Sequence, residues 1–318
     1  MENEPKTLVE AVRYFADPET TLKTIIELRW PDGVACPTCG CKEVRFISTR
    51  RIWECKNKHP KRQFSGKIGT IFEDSPLPLD KWFVAIWAIA NCKNGISSYE
   101  LHRALDVTQK TAWFMLHRIR LAMQAGSIMT SNGAFEADET LIGGIAKNMH
   151  ADRRAKEIKG TGRSKGKAVV MGIIRRKTAA SKSKVKATVI NDASHASLYS
   201  ELSKAVEPGA HLYTDAWQGY RGLSAEYRHQ VVDHAVEYVK GVVHTNGCEN
   251  FFSLLKRTIK GTYVSVEPFH LGAYLDEQAF RFNERDQNDG GRFTTLLSAV
   301  FGLRLTYKEL TGHGAQPA

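Results

Sequence analysis

A chain of 318 residues with 42% hydrophobic and 25% charged residues has room for two or three domains with sizeable cores, which excludes a disordered or low-complexity protein. No apolar run reaches the length of a membrane span, the longest being Trp82 to Ala90, and the opening MENEPKTLVE lacks a secretory pattern, so a cytoplasmic, nucleoid-associated location is expected. The net charge of +11 is concentrated between Lys147 and Lys186, where fourteen Lys or Arg face only Asp152 and Glu157. This pattern fits contact with a polyanion or a solvated loop.

Residues 8–29 carry apolar positions at helical spacing, and Asp17-Pro18 divides them into two helices that should pack beneath the next motif. There, Cys36 and Cys39 form a C-x2-C knuckle, and Cys55 with His59 forms a C-x3-H arm. Between them VRFIST and RIW alternate as a hairpin would. Two paired arms of soft or borderline ligands on a small β unit predict a tetrahedral, structural Zn²⁺ site. Cys41 is then a spare thiol, and Cys92 and Cys248 are packing residues. Lys56, Lys58, Lys61, Arg62 and Lys67 surround the second arm, which suits DNA. A ribbon that merely braces its neighbours is the alternative.

From Pro76 the chain turns helical. Asp80 is placed to cap a buried helix ending near Cys92, Ser97-Ser98 open a short helix to Leu105, and Thr108 caps a longer one to about Met123. Helix, tight turn and helix is the helix-turn-helix layout, which would offer Gln109, Lys110, Arg118 and Arg120 to DNA. A plain three-helix bundle would give the same pattern.

After Gly133 strands and helices alternate. FEADETLI, KAVVMGIIRRK, KVKATVI and HLYTDAW read as strands and HASLYSELSKAV as a helix. Asp138 and Asp215 are expected where strands end, the usual place for ligands in α/β sheets. Periodicity does not choose between Asp138 and Glu136, which share a strand face; Glu139 should point the other way. In HTNGCENFFSLLKRTIK, helical geometry places Ser253, Lys256 and Lys260 on the side of Glu249 and leaves Phe251, Phe252, Leu254, Leu255 and Ile259 to dock on a sheet. Asp215 could serve only its turn, and Glu249 could simply answer the helix dipole.

Taken in order, the two zinc arms, Asp138, Asp215 77 residues later, Glu249 34 beyond that and Lys256 seven further on resemble insertion-sequence transposases of the DDE type with an N-terminal zinc ribbon. The resemblance spans about residues 8 to 300. It implies an α/β catalytic core, an RNase H-like mixed sheet flanked by helices, preceded by the ribbon and an all-α helix-turn-helix-like domain. The expected domains are 1–75, 76–128 and 130–300 with a basic loop at 147–166 that is disordered without DNA, then a tail at 301–318. The resemblance also selects Asp138, Asp215 and Glu249 as catalytic ligands of two Mg²⁺ or Mn²⁺ ions, with Lys256 and Lys260 on DNA phosphates. It implies terminal inverted repeats and target DNA as partners, no membrane, and a homo-oligomer in the synaptic complex. Some relatives use Asn as third ligand, which keeps Asn246 in view, one helical turn before Glu249. A nuclease without joining activity and a transposase-derived regulator are the competing functions.

Overall fold

The structure, a computed structural model, describes residues 5–124, 132–144, 166–179, 181–232 and 243–312. It divides into two compact units, one from the N-terminal 125 residues together with 286 onward, the other from 126–285. No helix among the described residues is long and apolar enough to cross a membrane.

In the first unit, α1 (Leu8–Phe15) and α2 (Pro18–Arg29) are separated as the Asp17-Pro18 pair requires. Asp17 accepts the Glu19 and Thr20 backbone N–H groups, and Pro18 occupies the first helical position, where its missing N–H costs nothing. The ribbon is a three-stranded antiparallel sheet of β1 (Val44–Ile47), β2 (Ile52–Cys55) and β3 (Gln63–Phe64). Its small core joins Trp53 and Phe64 to Leu22 of α2. Helix α3 (Leu79–Asn91) is buried on most sides. Its cap is Pro78, and Asp80 lies within the first turn instead of at the cap. Then α4 (Ser98–Leu105) begins with a Ser97/Glu100 capping box, Asp106 turns the chain in the left-handed region, and Thr108 caps α5 (Gln109–Met123).

The second unit holds a five-stranded sheet in the order β6-β5-β4-β7-β8, formed by β4 (Ala134–Ile142), β5 (Ala168–Arg175), β6 (Lys184–Ile190), β7 (His211–Asp215) and β8 (Arg228–Val232). Pairs β4/β5 and β5/β6 are antiparallel, whereas β4/β7 and β7/β8 are parallel. This mixed sheet with helices on both faces is the RNase H-like arrangement. Phe135, Ala137, Met171 and Ile173 line one face against Leu198 and Leu202 of α6 (His195–Ser203). Val170, Ile174 and Val185 line the other against Phe251, Phe252 and Leu255 of α7 (Asn246–Thr258) and Leu275 of α8 (Leu271–Asn283).

Three expectations change. The catalytic unit does not run to residue 300, because α9 (Asp289–Ser298) belongs with the first unit, where Phe293 packs on Phe15, Phe83 and Trp87. Strand β8 was not foreseen; RHQVV is mostly exposed and has no apolar alternation to announce it. The tail named from residue 301 carries the capped turn α10 (Tyr307–Leu310), while residues 313–318 and nearly all of the basic 147–166 stretch lie outside the described residues.

Candidate catalytic and zinc sites

Four ligand atoms from Cys36, Cys39, Cys55 and His59 lie within 4.8 Å of one another. Cys36 Sγ and His59 Nε2 are 3.4 Å apart, Cys39 Sγ and His59 Nε2 3.5 Å, and Cys39 and Cys55 Sγ 3.6 Å. Zn–S and Zn–N bonds of about 2.3 and 2.0 Å give tetrahedral edges of roughly 3.5–3.8 Å, so the set is spaced for Zn²⁺. His59 Nδ1–H donates to the Pro60 carbonyl at 2.7 Å, which leaves Nε2 with its lone pair toward the sulfurs. Cys41 stands outside; its sulfur accepts the Glu43 backbone N–H.

In the sheet, Asp138 sits in the middle of β4 and not at its end. The ladder with β7 pairs Ala134 with His211 and Glu136 with Tyr213, and continuing that register sets Asp138 beside Asp215, the last residue of β7. Beyond this point β4 continues paired only with β5. Asp138 Oδ1 accepts the Glu139 N–H at 2.8 Å, and Asp215 Oδ1 accepts that of Trp217 at 3.0 Å. Burial, then the charge of Asp215, and further those of Glu139 and Glu249, push the Asp138 carboxyl up to about 7. Asp215 and Glu249 are therefore each within electrostatic reach of Asp138.

Glu249 reaches this place because α7 lies close on the sheet. Gly172 of β5 pairs directly with Asp138, and a Cβ there would lie 3.0 Å from the Phe252 ring, so a larger residue would push that ring, and the helix that carries it, outward. The helix start is fixed by Glu136, which is 3% exposed and takes the Gly247 N–H at 2.7 Å. Arg176 donates to Glu136 at 2.7 Å, donates to the His244 carbonyl at 2.7 Å, and stacks on the Tyr213 ring. Glu136 is thus committed to holding α7, and it is Asp138 whose carboxylate feels the charges of Asp215 and Glu249. Neither Glu136 nor Gly172 announced its role in the sequence, since each acts on a helix that follows much later. Glu139 points away, as expected, and accepts the Tyr220 hydroxyl at 2.7 Å; burial first, against that hydrogen bond, raises its carboxyl.

The expected DNA contacts divide. Lys260 is exposed in the π-helical turn after α7, Lys256 is half-buried on α7, and Lys110 is exposed at the start of α5. Arg118 and Arg120 are instead 5% and 1% exposed. Arg118 donates to the carbonyls of Ile71, Glu73 and Leu305, so it ties the first unit together and does not present itself to a phosphate. The second half of α5 is buried nearly all round, which helical phase alone did not disclose. At the end of α8, in the second unit, Arg281 pairs with Glu277, Asn283 bridges the backbone of Val185, and Arg285 bonds Ser183.

Residues 130–283 match the ISXO2-like transposase domain, and residues 17–57 match the transposase zinc-ribbon domain. The ribbon match stops short of His59, whose place as fourth ligand rests on the geometry above. Across 256 residues the chain is 25% identical to a Halobacterium salinarum protein described as "Uncharacterized protein in transposable element ISH50", covering 77% of this chain and 84% of that one. With the ribbon ligands gathered, the mixed sheet in place and both domains matched in order, the chain carries the two domains of the insertion-sequence transposases that join an N-terminal zinc ribbon to a DDE-type domain.

Proposed function

We propose that the chain binds the terminal inverted repeats of its own element and catalyses phosphodiester hydrolysis there, followed by attack of the freed 3′ hydroxyl on target DNA. The observation that supports this reading is that Asp138, in the middle of the central strand, feels the charges of Asp215 at the end of the adjacent strand and of Glu249 on α7. The donors are all carboxylate oxygens, which fits hard Mg²⁺ or Mn²⁺ and not the zinc held by the ribbon thiolates. Two such cations, when bound, would polarise the phosphoryl group and offset the charge on the attacking and leaving oxygens.

The protein's part is to hold the ligands and the strand. Asp138, on the rigid centre of the sheet, is the ligand best placed to be shared, with Asp215 and Glu249 flanking it. Glu249 is favoured over Asn246 as third ligand because it is a charged oxygen donor for a hard cation and has Lys256 seven residues beyond it. Lys256 and Lys260 follow on α7 and the turn after it, where they would hold terminal phosphates. Lys110 and the ribbon lysines are the candidates for repeat recognition. Work on two ends implies at least two copies in the synaptic complex, acting on DNA in the cytoplasm.

The test is incubation of wild type, Glu249→Gln and Asn246→Ala with labelled end DNA, Mg²⁺ and a target plasmid. Joined product in wild type and Asn246→Ala but not in Glu249→Gln is expected. Retained joining by Glu249→Gln would overturn the ligand assignment, and sequence-specific binding with no cutting in any protein would replace the enzyme with a regulator.

A further inference from the structure

Beside the acids, on the second unit, lies an open cleft of about 1030 Å³ whose walls include Lys167, Asn191, Asp192, Trp217 and Lys256. Ordinary ligand pockets are roughly 300–1,000 Å³, so there is room for a nucleotide and its flanking phosphates. Trp217 is the unusual member. It is 42% exposed, yet held at two points: its backbone N–H on Asp215 Oδ1 at 3.0 Å and its indole N–H on the Ala193 carbonyl at 2.9 Å. The indole nitrogen also lies over Gly219, where a Cβ would come within 2.9 Å of it. A large ring kept in one position while part of its surface stays in water is pre-organised for a flat partner, because the ordering cost has been met before the partner arrives.

The other walls narrow the class of partner. Lys167 and Lys256 supply two cations from different elements, suited to phosphate. Asn191 and Asp192 supply amide and carboxylate groups that match the donor and acceptor edges of a base. Asp192 Oδ1 already accepts the N–H of Ser194, the cap of α6, and the Ser197 hydroxyl, which keeps that wall in place. A paired base cannot use this surface, since both of its faces are covered by neighbours in the duplex; an unpaired one can. Resting on the reading of the adjacent acids as a DNA-processing site, we propose that the cleft is a subsite for an unpaired nucleotide of the DNA end, its base stacked on Trp217 and its phosphates held by Lys167 and Lys256. Opening the end there would carry the neighbouring phosphodiester toward Asp138 and Asp215 and away from the helical stack.

The test is binding, measured by fluorescence anisotropy with the full chain, zinc-loaded and without added divalent cation so that no cleavage occurs. Two labelled ends are compared, one fully paired and one with the three terminal pairs replaced by mismatches. Wild type should prefer the mismatched end by about tenfold, in the range that stacking of one base contributes. Trp217→Ala should bring the two affinities together, Trp217→Phe should keep most of the preference, and Lys167→Ala should weaken binding to the mismatched end more than to the paired one. Equal binding of both ends by wild type, or equal loss in Trp217→Ala and Trp217→Phe, overturns the proposal. If the preference holds but no joined product forms with Mg²⁺, the enzymatic reading fails and the subsite stands; joining without the preference gives the converse.

Discussion

Replacing Asp138 by Asn should stabilise the metal-free protein, and by an amount that depends on pH in a defined way. The Asp138 carboxyl is raised from an ordinary 3.8 to about 7 by burial and by the neighbouring charges of Asp215, Glu139 and Glu249. The folded state therefore holds this proton more tightly than the unfolded chain does. Stability is fully present below the unfolded value, falls as pH rises from about 4 to about 7, and then levels off. At 1.36 kcal/mol per pH unit, that window of roughly three units costs the wild type about 4 kcal/mol at pH 8. The amide of Asp138→Asn does not titrate, so the variant should be about 4 kcal/mol more stable than wild type at pH 8 and nearly equal to it at pH 4. Urea unfolding of the two zinc-loaded proteins at matched pH values measures the difference, and the ribbon, common to both, cancels. Added Mg²⁺ should stabilise wild type far more than the variant. A stability difference that does not change with pH, or a variant less stable than wild type at pH 8, would refute the picture of a carboxylate cluster that repels itself until cations arrive.

Other outcomes follow from the same contacts. Cys39→Ser should lose bound zinc, measured by metal release under denaturation, whereas Cys41→Ser should retain it, because the Cys41 sulfur lies outside the ligand cluster. Gly247→Ala would place a methyl group 2.7 Å from Glu136 Oε2, which Arg176 and the helix start hold in place; a loss of about 1–3 kcal/mol in chemical denaturation is expected, and a change near zero would contradict that tight fit. Arg118→Ala removes donors to three main-chain carbonyls and should cost roughly 3 kcal/mol while leaving the affinity of the folded protein for end DNA unchanged. A loss of affinity without a loss of stability would return Arg118 to the DNA-contacting role expected from its helical position.

The parts of this molecule that could be read in advance are those whose physics is local. Two ligand arms separated by a hairpin gather Cys36, Cys39, Cys55 and His59 whatever else the chain does, and the ligand cluster is where that spacing puts it. Asp17-Pro18, Ser97 with Glu100, and Thr108 start helices by satisfying N–H groups two or three residues away. The adjacency of Asp138 and Asp215 is not local in this sense: it follows from the parallel β4/β7 pairing of the RNase H-like sheet, which the family resemblance implied and the order of strands alone does not fix.

What the sequence by itself determined, then, was the inventory of elements and chemically capable side chains; which of those side chains remain available was decided only by tertiary packing. Glu136 and Asp138 have the same charge and share a strand face, but Arg176 and a helix start 111 residues away in the chain occupy the first and leave the second to the other acids. Arg118 looked free on a helical wheel until carbonyls from residues 71, 73 and 305 surrounded it. Glycine at 172 carries no signal of its own, and its meaning lies in the Phe252 ring that would touch any larger residue. A capping bond or a metal knuckle is encoded within a few residues, whereas a buried charge finds its partner and a helix its closest approach only after segments distant in the chain have packed.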